Sequence, residues 1–169
     1  MSRKNRGVKN EKGFSILELV VTIAVIGVMA SIAIPSFSSW IPNYRLRNAA
    51  MDLHSNLQLA KMQAIRDNST CSIEFDEEAQ SYQLRDNADT EIKTVNLASY
   101  GSDITFGHGP APTGEDIEYE GSRVTFDSQG MGQSGYIYLE NKKKDRCFRV
   151  GSMLTGIIRL EKWDGSDWD

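Results

Sequence analysis

Histidine and cysteine are scarce in this 169-residue chain: His54, His108, Cys71 and Cys147 are the whole supply. Two histidines so far apart argue against a multi-histidine metal centre. No nucleophile stands in a recognisable catalytic motif. "GSMLTG" and "GMGQSG" carry glycines but lack the lysine and following hydroxyl residue of a phosphate loop. A surplus of positive charge is also missing, since the formal net charge is -4. Residues 1–13 hold Arg3, Lys4, Arg6, Lys9 and Lys12 against Glu11, a net of +4, which leaves -8 for the rest. An acidic body argues against general nucleic-acid affinity, because neutralising phosphates needs a positive face. Scattered carboxylates are those of a solvated surface, and no cofactor is implied. A tethered enzyme is thereby the weakest class of reading.

Long apolar runs are absent too, with one exception. Phe14 to Ile34 is 21 residues of apolar sequence broken by a single charge, Glu18. At about 1.5 Å per residue such a helix crosses a hydrocarbon core of roughly 30 Å. The basic leader favours a cytoplasmic N-terminus, and Trp40 and Tyr44 lie just past the far end, where aromatic rings favour the interface. The segment is longer than a secretory signal core and "MASIAIPS" makes a poor cleavage site, so a plain uncleaved signal-anchor is one reading. That reading leaves Glu18 unexplained. A carboxylate near the membrane centre costs about 2.5–3.5 kcal/mol on insertion scales. Cutting the chain between Gly13 and Phe14 creates an α-ammonium group about one helical turn from Glu18. The two charges then neutralise each other, within a chain or between neighbouring chains.

"KGFSILELVVTIAVIGVMASIAIPSF" resembles a type IV prepilin N-terminus: a basic leader ending in glycine, then phenylalanine, an acid at the fifth mature position and a proline at the twenty-second. Here these are Gly13, Phe14, Glu18 and Pro35. The resemblance implies a prepilin peptidase that cuts after Gly13 and N-methylates Phe14. It also implies that Glu18 pairs with the terminus of an adjacent subunit in the inner membrane. Tip subunits of that family often lack the acid, so Glu18 implies a place below the tip.

Pro35 and Pro42 each remove a helical hydrogen bond, so the helix is expected to bend there without stopping. Beyond Pro42, Leu46, Ala49, Ala50, Leu53, Leu57, Ala60, Ala64 and Ile65 recur at spacings of three and four, an amphipathic helix ending near "RDNST". The expected organisation is a leader over 1–13, a membrane helix over 14–34, its amphipathic continuation over 35–66, and a periplasmic β-rich region over 67–169 packed on 43–66. From Cys71 the period becomes two, and "CSIEF", "SYQLR", "IKTVNL", "RVTFD", "GYIYLE", "RCFRVG" and "GIIRLEKW" read as strands. Gly107–Asp116 reads as a loop. The fold class is α+β: one long N-terminal helix, transmembrane in its first half, packed on antiparallel sheet.

"VTFDSQGMGQSGYIYLENKKKDRCFRVGSMLTGIIRL" is similar to the C-terminal half of GspH/FimT-type minor pilins, and "LRNAAMDLHSNLQLAKMQAIRDN" is similar to their helix. This resemblance implies a minor pseudopilin of a type II secretion system, or alternatively a FimT/FimU-type minor pilin of a type IV pilus. The implied partners are other pilins or pseudopilins, major and minor. Outside the cytoplasm Cys71 and Cys147 are expected to oxidise. Their bridge would close a loop worth roughly 4 kcal/mol in the chain-entropy model; two buried thiols are the alternative. Lys142, Lys143 and Lys144 form the only basic run of the body, either a solvated hairpin turn or a phosphate contact. Some FimT-type proteins resemble DNA receptors that use a glycine-arginine-x-arginine element. Here Ile157 stands where its first arginine would be, ahead of Arg159, which argues against DNA. The aromatic tail "WDGSDWD" reads as a frayed end or a contact with a neighbouring subunit.

Overall fold

The computed structural model describes residues 14–112 and 114–169, and of residues 34–39 the backbone alone. The leader, with Gly13, lies outside the described residues. One helix, α1, runs Ile16–Arg66, and the chain divides between Ser39 and Trp40 into two units.

In the first unit Ser15 caps the helix. Its hydroxyl accepts from the Leu17 N–H at 3.3 Å, and its carbonyl accepts from the Leu19 N–H at 3.1 Å. Thr22 and Ser31 turn their hydroxyls back onto the carbonyls of Leu19 and Val28, so neither is left unsatisfied on an apolar surface. The span Ile16–Ala33 has a mean hydropathy of 2.5 and none of it is buried.

In the second unit the helix from Trp40 to Arg66 lies against two four-stranded antiparallel sheets. Leu46, Ala49, Ala50, Leu53, Leu57, Ala60 and Ala64 are all essentially inaccessible to solvent. Each buried leucine contributes about 1.5–3 kcal/mol relative to an exposed one. The alanines let the backbone approach the sheets closely. The strands are β1 (Cys71–Asp76), β2 (Ser81–Arg85), β3 (Glu91–Asn96), β4 (Ile104–Phe106), β5 (Arg123–Phe126), β6 (Gly135–Asn141), β7 (Cys147–Ser152) and β8 (Ile158–Lys162). One sheet has the order β3-β2-β1-β5 and the other β4-β6-β7-β8. Ile73, Val124, Phe126, Ile137, Leu139 and Val150 fill the space beneath the helix.

The α+β, pilin-like expectation is met, with refinements. Among the described residues the antiparallel strands form two sheets, and there are eight strands where seven were expected. The strand missed, β4, is only three residues long and pairs Ile104 with Asn141 and Phe106 with Leu139. Helical backbone continues through Pro35 and Pro42; the bend expected at Pro35 concerns a side chain outside the described ones.

The expected disulfide is a correction. Cys71 and Cys147 are both free and buried. Cys71 begins β1 opposite Phe126, in the first sheet, and Cys147 lies in β7 opposite Glu140, in the second. The Cys71 thiol donates to the Arg85 carbonyl of its own sheet at 3.1 Å, and Cys147 packs against Gly109 of the β4–β5 loop. Burial pushes both thiols up to about 11.

Candidate assembly and membrane-anchoring surface

The first unit presents an apolar rod. Phe14 is 82% exposed and Ile16, Leu17, Ile23, Ile26, Val28 and Ile32 are similarly open. A surface of this kind is stable only in lipid or against another apolar surface. Glu18 sits in the first turn of the helix, where the helix dipole favours an anion. Among the described residues it has no cation within ion-pair distance. Glu18 thus lies four residues from Phe14 on an otherwise apolar surface, with no cationic partner among the described residues.

The second unit carries the remaining expected site residues. Lys142, Lys143 and Lys144 occupy the β6–β7 turn and are exposed. The turn closes through the Lys144 N–H on the Asn141 carbonyl at 2.8 Å, with Lys144 at a φ of +54°. Lys144 Nζ pairs with Glu140 at 3.2 Å. Arg159, on β8, faces Gly151 near the opposite end of β7 and pairs with Glu161 at 3.6 Å. The structure thus separates Arg159 from the lysine turn by most of the length of a strand, and no joint phosphate-binding face results. His54 is half-buried on the helix. His108 Nδ1 lies 2.7 Å from Asp116 Oδ1, tying the ends of the glycine-proline loop. No cluster of three or more potential metal ligands occurs among the described residues.

Three arrangements escaped sequence reasoning. The Asn141 amide donates to Asn43 Oδ1 at 3.1 Å, fastening the basic turn to the start of the second unit's helix. Arg45 pairs with Asp103 at 3.2 Å, and the Asp103 carbonyl accepts from the Lys142 N–H at 2.8 Å. On the second sheet, the Arg149 guanidinium lies between the rings of Tyr136 and Trp168, 4.3 and 4.4 Å from their centroids, and pairs with Glu161. Burial opposes the charge of Arg149, but Glu161 outweighs it and the pKa rises. The tail, which read as a frayed end or a contact with a neighbouring subunit, is a short hairpin within the chain: Asp169 and Lys162 exchange backbone hydrogen bonds and Trp163 contacts Trp168. Side-chain alternation along β6, which puts Tyr136 and Tyr138 on one face, was the available signal for the Arg149 stack.

A membrane-length apolar helix whose amphipathic continuation packs on two antiparallel sheets defines a pilin-like subunit. Residues 8–34 match the prokaryotic N-terminal methylation motif. Residues 49–154, more than half the chain, match the family described as type II transport protein GspH. The chain belongs to that family, which is one of structural pilin and pseudopilin subunits. Its fold is similar to that of the minor pseudopilin EpsH from the type 2 secretion system of Vibrio cholerae. That likeness has a TM-score of 0.51 and 15% identity, over 69% of this chain and 95% of that one. The type IV minor pilin FimU of Pseudomonas aeruginosa is similar with a TM-score of 0.56 and 15% identity, over 75% and 94%. A fimbrial protein of Pseudomonas aeruginosa is 34% identical over 58 residues, 34% of this chain. The chain spans only about 37% of the length of that curated relative.

Proposed function

We propose that the chain is a minor pseudopilin of a type II secretion system. It is made as a precursor, cut between Gly13 and Phe14 by a prepilin peptidase and N-methylated at Phe14. Residues 14–34 hold it in the bacterial inner membrane with the leader cytoplasmic and residues 67–169 periplasmic. It then joins other pseudopilins in a short periplasmic filament that promotes export of folded proteins. Glu18 pairs with the Phe14 ammonium of a neighbouring subunit, which neutralises both charges as the helices pack. The observation that carries the reading is the GspH-family match over residues 49–154 behind an apolar, fully exposed helix.

The fold likeness to FimU and the partial identity to a fimbrial protein favour a second reading, a minor pilin serving pilus initiation, twitching or DNA uptake. Deleting the gene separates the two. The first reading expects lost exoprotein export with surface piliation intact; lost piliation with normal export supports the second.

A further inference from the structure

The one basic run of an acidic domain, left without a role by the assembly argument, is fastened to the first turns of the second unit's helix. The Asn141–Asn43 hydrogen bond holds the β6–β7 turn against the helix, and the Lys142 N–H bonds the carbonyl of Asp103, whose carboxylate pairs with Arg45. Arg146 closes the turn. Five cations, Arg45, Lys142, Lys143, Lys144 and Arg146, thus share this turn and its supports with three carboxylates, Asp103, Glu140 and Asp145. Two of the cations are paired, Arg45 with Asp103 and Lys144 with Glu140. Lys142, Lys143 and Arg146 are exposed, with no carboxylate within ion-pair distance among the described residues.

Chain connectivity limits what this pole can meet. Asn43 follows Ile34 by nine positions, a tether of about 30 Å even if fully extended. The headgroup layer occupies about 5–7 Å beyond the hydrocarbon, and a lysine side chain reaches about as far again from its backbone, since its long apolar stem lets the ammonium extend toward the interface. Trp40 and Tyr44, stacked at 5.2 Å between their centroids and both exposed, occupy the same stretch of helix, and such rings favour the interface.

We propose that the Lys142–Arg146 turn docks the head onto anionic phospholipid headgroups of the bilayer that holds the apolar helix. The proposal rests on the membrane-anchored reading above. The partner is the phosphodiester and acidic headgroup of a lipid such as phosphatidylglycerol, which an otherwise acidic domain would meet only through this pole. Docking orients the head before assembly, and extraction into a filament breaks it. These lysines lie more than a hundred residues past the span in sequence, too far to influence its orientation during insertion.

The test uses the full chain in nanodiscs of phosphatidylcholine, alone or mixed with phosphatidylglycerol. Amine acylation read by mass spectrometry reports each lysine, with Lys93 as internal reference because its Nζ is bonded to Asn56. Lys142 and Lys143 are expected to react several-fold more slowly in the anionic discs. That protection is expected to vanish in about 1 M NaCl, where the Debye length is about 3 Å. Backbone hydrogen exchange over 142–146 should slow in the same discs for the wild type but not for K142E/K143E. Equal reactivity in both discs, from a chain that resists alkaline carbonate extraction, overturns this proposal and leaves the anchoring reading standing. A chain that carbonate strips from the bilayer overturns both. Protection that arises in phosphatidylcholine discs only on adding nucleic acid overturns the lipid assignment in favour of that partner.

Discussion

Glu18 is where burial and charge conflict most sharply. A lone carboxylate on a surface that must enter lipid is costly, so it has to serve a step in which it is neutralised. Glu18→Ala is therefore expected to leave membrane insertion intact while filament assembly falls, scored by fractionation beside immunoblots of sheared filaments. Undiminished assembly would remove the pairing argument. The cysteines make a second residue-scale case. Both thiols titrate near 11 in the fold against about 8.5 when unfolded. The neutral form is the one the fold favours, so its contribution is complete below the unfolded pKa and drains away as pH climbs toward 11. Urea midpoints should hold level to about pH 8 and then decline, more gently for C71A/C147A than for the wild type. Reductant should leave the midpoint unchanged. Sequence offered no access to this, because compartment argues for a bridge whereas only the pairing of strands shows that Cys71 and Cys147 belong to different sheets. Gly156 closes the residue scale. Its φ of +74° favours glycine, a Cβ there would stand 1.8 Å from the Gly130 carbonyl oxygen, and its own carbonyl accepts from Lys61. Gly156→Ala should lower stability by about 1–3 kcal/mol in backbone strain alone, measured as a shift in urea midpoint.

The helix is the element that joins anchor to head, and its two halves obey different rules. From Phe14 to Ile32 the apolar residues surround the axis; from Leu46 onward they narrow to one stripe, and that stripe is the part packed on the sheets. Leu53→Ala and Leu57→Ala should each cost about 2–5 kcal/mol, seen in thermal melts of the detergent-solubilised chain. Met62→Ala, on the exposed face, should cost far less. This contrast was legible in the sequence, since a spacing of three and four over twenty residues leaves little ambiguity. The longer strands were legible for the same reason, from alternation over five residues or more. β4 was not, because "ITF" is too short to show a period, and its place is decided by pairing with β6. The division of strands between two sheets was also hidden, as alternation is local whereas sheet membership depends on which distant strand supplies the partner. The tail's packing within the chain was hidden because its order comes from Arg149 and Tyr138, earlier in the chain, which hold Trp168 in place.

For the whole molecule, the distribution of charge and grease is an itinerary. In the proposed reading a basic leader keeps one end inside, an apolar helix waits in the bilayer, and an acidic head faces water. Family membership fits that itinerary, as the methylation motif covers the anchor and the GspH match covers the head. The central claim is that the working form begins at Phe14, because only then does Glu18 acquire a cation. The decisive measurement is the intact mass of the protein recovered from assembled filaments in its native host. The account predicts a chain lacking residues 1–13 and carrying one added methyl group on the Phe14 nitrogen. A filament-incorporated chain that still bears its leader would contradict it.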